Sequence, residues 1–285
     1  MFAITDSHLR EGFLQDGHLT NKRRHHRGRN SFEAGGTVCW EDSISLPDDP
    51  PYWDDMLGNS LRIGAAAARK SLKPALWVWG LMMALAALYY LVPASQGAFG
   101  ALVGIQEKMG LWFPSIGMGL CVGVLVECAR VLISREKRWT LENTINGSFN
   151  FVIWSIMGIT QHYRYAWQVE VFGAGNSFGE LATKVAFDQF VWTVFFANPY
   201  QAILYLWKNH GFSWKAVARK ATPVRTFWGT QMLPMLISNW AFWIPMAFLV
   251  YFFPPELQIP MAILAITIWV ILLTFLTEAS RENAD

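Results

Sequence analysis

The apolar positions of this chain fall into six long runs, at 74–92, 111–132, 147–167, 185–207, 227–253 and 257–277. A bilayer's hydrocarbon core of about 30 Å takes about 20 helical residues to cross. Each run comes close to that length or exceeds it. The pattern predicts an all-α fold: a polytopic helical membrane bundle with about six apolar segments. The third and fourth runs are weaker, because they carry more polar residues. The fifth holds Pro234 and Pro245, so a kink or break is expected there.

The region before the first run has a different texture. A basic, His-containing cluster (Lys22, Arg23, Arg24, His25, His26, Arg27, Arg29) precedes an acidic stretch with Pro50 and Pro51. Such a mixture reads as a solvated tail without a core. A basic patch touching anionic headgroups is the sharper reading. Residues 60–73 mix Leu61 and Ile63 with Arg62, Arg69 and Lys70, as a short interfacial helix would. The expected organisation is a polar tail over 1–70, a transmembrane bundle over 71–277 and a short polar tail over 278–285.

Composition strengthens the membrane reading. Hydrophobic residues make up 53% of the chain and charged residues 15%, against about 25% charged in a soluble domain. Fifteen Trp residues fit a chain with membrane interfaces. Nothing points to a nucleic-acid partner, and the first strongly apolar run starts too late for a secretory signal. The basic cluster is compatible with an organelle address, but the first 35 residues also hold Asp6, Glu11, Asp16 and Glu33, and a transit peptide should be poor in acids.

Loop charge predicts orientation. With six spans, one side receives Arg62, Arg69, Lys70, Lys73, Arg135, Lys137, Arg138, Lys208, Lys215, Arg219, Lys220 and Arg225. The other receives Lys108 and Lys184. The positive-inside rule then places both termini on the cytoplasmic or matrix-like side. Two GxxxG patterns, Gly100/Gly104 and Gly119/Gly123, are candidates for close helix approach. Cys121 and Cys128 are two helical turns apart, about 11 Å along the axis, too far for a disulfide. They read as free thiols in packing positions.

Polar groups inside the runs are the candidates for function, since each needs a partner or a water-filled route. Glu127 and Arg130 lie three apart on one helix face. They suit an interfacial ion pair, with Arg130 reaching the headgroups, or a polar lining near a pore mouth. His162 ends the third run among aromatics, as a hydrogen-bonded interface residue or a pH-sensitive group facing a cavity. Arg164, two residues on, calls for an acidic partner. Lys184 and Asp188 lie four apart and are followed by Gln189. They can close a helix entry as a local pair, or Asp188 and Gln189 can project inward and meet His162. Asn198-Pro199 predicts a local distortion in the same run. Gln231 and Asn239 add polarity to the fifth. No paired carboxylates, nucleophile elbow, phosphate loop or metal-ligand spacing occurs, so no enzyme, cofactor or metal is expected.

Three blocks resemble the family of small organellar membrane proteins called Mpv-seventeen or peroxisomal membrane protein twenty-two. The first is Gly158-Ile-Thr-Gln-His162-Tyr-Arg-Tyr165, with Ile159 where the family has Pro and Arg164 where it has an aromatic. The second is Lys184-Val-Ala-Phe-Asp188-Gln189, with Val194 in place of a later Pro. The third runs from Trp240 and Trp243 through Tyr251 and Pro255 to Trp269. Ala247 and Val250 replace the family's Gln and Asn there, and its Arg falls at Gln258 or Ile259. The resemblance covers about residues 111–277.

It implies a four-helix family core in a mitochondrial inner or peroxisomal membrane, with a chloroplast left open. It also implies a weakly selective channel for small metabolites and a part in membrane homeostasis. The expected lining is His162, Asp188 and Gln189, then Lys184, Glu127 and Arg130. Gly158, Tyr165, Trp240, Trp243, Tyr251, Pro255 and Trp269 are the structural motif positions. The lipid bilayer and small metabolites are the expected partners, with a homo-oligomer open. A non-transporting membrane scaffold is the alternative.

Overall fold

The computed structural model describes residues 53–134 and 137–282, with side chains over 57–134 and 137–275. The basic-His cluster, Cys39 and the last three residues of the chain lie outside the described residues. Every described element is helical. Eight helices follow in order: α1 (Trp53–Leu91), α2 (Gln96–Met109), α3 (Trp112–Ile133), α4 (Leu141–Phe172), α5 (178–209), α6 (Trp214–Lys220), α7 (Val224–Phe252) and α8 (Pro255–Glu282).

Four of them are long and apolar enough to cross a membrane, over Leu57–Leu91, Trp112–Ile133, Val224–Phe252 and Pro255–Phe275. The third and fourth sequence runs fall on α4 and α5. These are long, at 32 residues for α4, but less apolar than the other four. Helix α8 is the centre of the bundle: 67% of its apolar window is buried, against 28–33% in the other three.

Helix α1 is one continuous helix of 39 residues. The interfacial helix expected over 60–73 is therefore its first half, not a separate element. Its buried positions Ser60, Gly64, Ala75, Val78, Met82 and Ala86 recur at helical spacing and face α7 and α8. Ser60 Oγ donates to the Gly229 carbonyl at 2.6 Å. A Cβ on Gly64 would lie 2.7 Å from Ile237. Trp79 Nε1 donates to the Phe242 carbonyl at 3.2 Å.

Of the kink or break expected in the fifth run, a break is absent, and Val224–Phe252 is one continuous span. A π-helical segment, Trp228–Met232, precedes Pro234, which falls in the first turn of the α-helical part. Pro245 sits inside a continuous helix. Its ring frees the carbonyl four residues back, and the neighbouring Phe242 carbonyl takes the Trp79 indole.

The two GxxxG patterns part ways. A Cβ on Gly123 would meet the Phe151 backbone nitrogen at 2.6 Å, and one on Gly119 would lie 2.9 Å from the Phe151 carbonyl oxygen. One on Gly158 would collide with the Pro114 carbonyl, so α3 and α4 touch backbone to backbone. Gly100 and Gly104 have nothing within 4 Å of a Cβ. Cys121 and Cys128 are free thiols.

Candidate functional site

Helix α4 carries an inward polar stripe. Asn143, Asn146, Asn150, Trp154, Met157, Gln161, Arg164 and Gln168 are spaced by three or four residues, which keeps them on one face. The stripe covers about 38 Å of helix at 1.5 Å per residue. Asn146, Asn150, Arg164 and Gln168 are buried. Val152, Ile156, Tyr163, Trp167 and Val171 point outward instead. The polarity that weakened this run in the sequence is thus turned away from the surroundings.

Helix α5 answers it. Lys184, Asp188, Gln189, Thr193 and Asn198 are buried, while Phe190, Val191 and Phe195 are exposed. Its start is fixed by a capping box: Glu180 N donates to Ser177 Oγ at 3.4 Å, and Ser177 N donates to Glu180 Oε2 at 3.3 Å. Residues Phe187–Ala197 are π-helical, and the α-helix resumes at Asn198 with Pro199 in its first turn. The distortion expected near Asn198-Pro199 therefore lies just before it. A π-helical stretch is rare and often marks a functional position.

The two faces are tied by side chains along their length. Arg164 Nη1 lies 2.6 Å from Asp188 Oδ1. The same guanidinium donates to Tyr251 Oη on α7 at 2.5 Å and to Gln161 Oε1 at 2.6 Å. It also lies 4.2 Å from the centre of the Tyr165 ring. Gln168 Nε2 donates to the Lys184 carbonyl at 3.4 Å. Further along, Tyr200 Oη donates to the Ile153 carbonyl at 2.8 Å, and Tyr205 Oη donates to Asn150 Oδ1 at 2.9 Å.

Between these faces, and closed by α3, α7 and α8, lies a cavity of about 100 Å³. Its wall includes Gln161, Arg164, Asp188, Gln189, Asn198 and Gln201, with Trp154, Trp192, Trp243 and Trp269 as aromatic sides. Four side-chain atoms of wall residues, Gln189 Oε1, Trp192 Nε1, Asn198 Nδ2 and Trp269 Nε1, have no hydrogen-bond partner and are themselves closed off from a water-sized probe. Orphaned buried polar atoms are uncommon in folded proteins.

The sequence candidates divide accordingly. Asp188 and Gln189 line the cavity and are bonded to each other, Gln189 Nε2 to Asp188 Oδ2 at 3.1 Å. His162 does not line it; its ring packs edge-on against exposed Tyr163. The partner of Asp188 is Arg164, not His162 or Lys184. Lys184 is buried, and its Nζ lies 3.5 Å from the Gly175 carbonyl. Glu127 and Arg130 form a separate site at the other end of α4. Glu127 is fully buried, 2.5 Å from Arg130 Nη1, and accepts from Asn143 Nδ2 at 3.1 Å.

Three of the seven motif positions, Tyr165, Trp243 and Trp269, line the cavity. Gly158 meets α3, and Tyr251 holds Arg164. Trp240 Nε1 donates to the Gln189 carbonyl at 2.9 Å, and Pro255 opens α8. Arg164 has the acidic partner that its sequence position called for, Asp188, whereas Gln161 and Gln168 escaped the sequence reading. Their three-to-four spacing with Asn150 was the available signal.

These observations define an all-helical protein with four membrane-compatible helices and a buried polar seam between two further long helices. No family model, curated protein or solved structure matches the chain.

Proposed function

We propose that this protein is a six-span organellar membrane protein of the Mpv-seventeen type, providing a weakly selective pathway for small polar solutes between α4 and α5. The cavity carries the reading: the Arg164–Asp188 ion pair and the amide residues Gln161, Gln189, Asn198 and Gln201 surround it. Such a site in a membrane-embedded bundle is costly unless water or a solute occupies it.

The sidedness of α4 and α5 supports adding them to the four apolar helices. Large apolar residues such as Val152, Ile156, Phe190 and Phe195 are exposed on α4 and α5, while Asn146, Asn150, Arg164, Asp188 and Gln189 are buried and exposed charged residues such as Glu142 and Glu170 lie near the ends of α4. Both helices therefore suit a bilayer although their mean hydropathy is modest. Six spans put the basic loops and both termini on one side.

The test is solute release from proteoliposomes and conductance in planar bilayers. The wild-type protein is expected to pass small polar solutes. Asp188→Asn should alter the conductance, and Ala247→Phe, which adds bulk at the wall, should suppress release. Silent bilayers with folded protein would defeat the proposal. They would favour a non-transporting scaffold, a reading supported by the saturation of Arg164 with protein partners.

A further inference from the structure

Helix α1 also has an outer face. Arg62, Arg69, Lys73, Leu76 and Trp77 recur at spacings of three, four or seven residues, which keeps them on one side of the helix. That side lies opposite the buried line of Ser60, Val78 and Met82. All five residues are exposed, as is Lys70 beside them.

The elements around this face leave its charge standing. No acidic residue occurs from Met56 to Leu91 on α1, or from Val224 to Phe252 on α7. Helix α8 opens with Glu256, but at the opposite end, where Tyr90 of α1 donates to the Phe252 carbonyl at 2.7 Å. Among the residues with described side chains, Arg69, Lys70 and Lys73 form no ion pair. Three cations within one turn and a half of helix therefore call for anions from outside the bundle.

The neighbouring surface says which kind. Beyond Lys73 the exposed residues are apolar: Leu76, Trp77, Leu81 and Leu88. The 18 residues from Lys73 to Leu91 rise about 27 Å, close to the hydrocarbon thickness of a bilayer. A free phosphate would meet the cations and leave this apolar surface uncovered. An anionic phospholipid meets both, with its headgroup on the cations and its chains along the helix. Resting on α1 as a membrane span and not on the solute pathway, we propose that the Arg69–Lys73 turn binds the headgroup of an anionic phospholipid.

Binding is measured by native mass spectrometry on the full chain in uncharged detergent. The probes are dioleoylphosphatidylglycerol, dioleoylphosphatidylcholine and glycerol phosphate. The phosphatidylglycerol is expected to bind about tenfold tighter than the other two, or more. Lys73→Gln should weaken it about fivefold, and the triple variant Arg69→Gln/Lys70→Gln/Lys73→Gln should erase the preference. These side chains are exposed, and helical content and gel-filtration profile confirm folding. Lys215→Gln/Arg219→Gln/Lys220→Gln removes the same charge from exposed positions of α6 and should change the affinity by less than about twofold. Equal losses in the two triple variants would mean diffuse surface charge and overturn the site. Glycerol phosphate binding as tightly as the phospholipid would overturn the lipid as occupant. No preference for phosphatidylglycerol in the folded wild-type protein would overturn the proposal, whatever the proteoliposomes show about solute release.

Discussion

The α1–α7 contact and the α4–α5 seam hold helices together by opposite means. Along α1, Ala75, Val78, Met82 and Ala86 are buried against apolar neighbours, and Trp269 on α8 stacks on Phe242 of α7 at 3.7 Å. Between α4 and α5 the ties are an ion pair, amides and tyrosine hydroxyls, and a cavity remains. A dry contact gains from close packing and tolerates little change in volume. A polar seam depends on every charged group keeping its partner. The first is suited to stability, the second to carrying something through the bundle.

Breaking the Arg164–Asp188 pair should have the largest effect. Arg164→Leu leaves Asp188 buried without its counter-charge and should cost about 3–5 kcal/mol, read as thermal unfolding in detergent. The double variant Arg164→Leu/Asp188→Leu should recover much of that loss, because neither charge is left alone. Equal destabilisation by the single and double variants would show that the seam is ordinary packing.

Overpacking the glycine contact comes next. Gly158→Leu forces α3 and α4 apart and should cost about 1–3 kcal/mol or more. On α1, Trp79→Phe removes one hydrogen bond to Phe242 and should cost about 1 kcal/mol. Gly104→Ala meets open space and should be neutral or slightly stabilising, by up to about 1 kcal/mol. The smallest effect is at the cap of α5. The Ser177 hydroxyl holds the exposed Glu180 carboxyl below the ordinary carboxylate range. A depressed value stabilises the fold above the unfolded value near about 4.3, and the contribution is lost as pH falls through the folded one. Glu180→Gln should therefore lose less stability on acidification than the parent protein.

The sequence made the apolar helices legible, and it exposed Asp188, Gln189 and the tension around Arg164. Hydropathy locates a helix whose every side is apolar, as in α8. It understates α4 and α5, whose polar residues are concentrated on one inward face. The alternative in which Asp188 meets His162 fails for a geometric reason. Arg164 sits two residues on, and two residues turn a helix by about 200°, so the two side chains leave α4 on different faces. The Gly119/Gly123 and Gly100/Gly104 patterns are identical in spacing, and only the neighbour across the helix distinguishes them. Pro234 and Pro245 suggested a kink or break, and the irregularity found is a π-helical turn ahead of Pro234, which has no signature in composition.

Reactivity at two engineered thiols tests the contrast most directly. In a background without Cys39, Cys121 and Cys128, Thr193→Cys lies on α5 close to the cavity, and Ala86→Cys lies in the dry contact of α1. Both native residues are buried to a similar degree. A small water-soluble methanethiosulfonate applied to proteoliposomes should label the thiol at 193 at least tenfold faster than the one at 86. Equal resistance at both positions would mean that the seam is as dry as the rest of the bundle, contradicting the solute pathway.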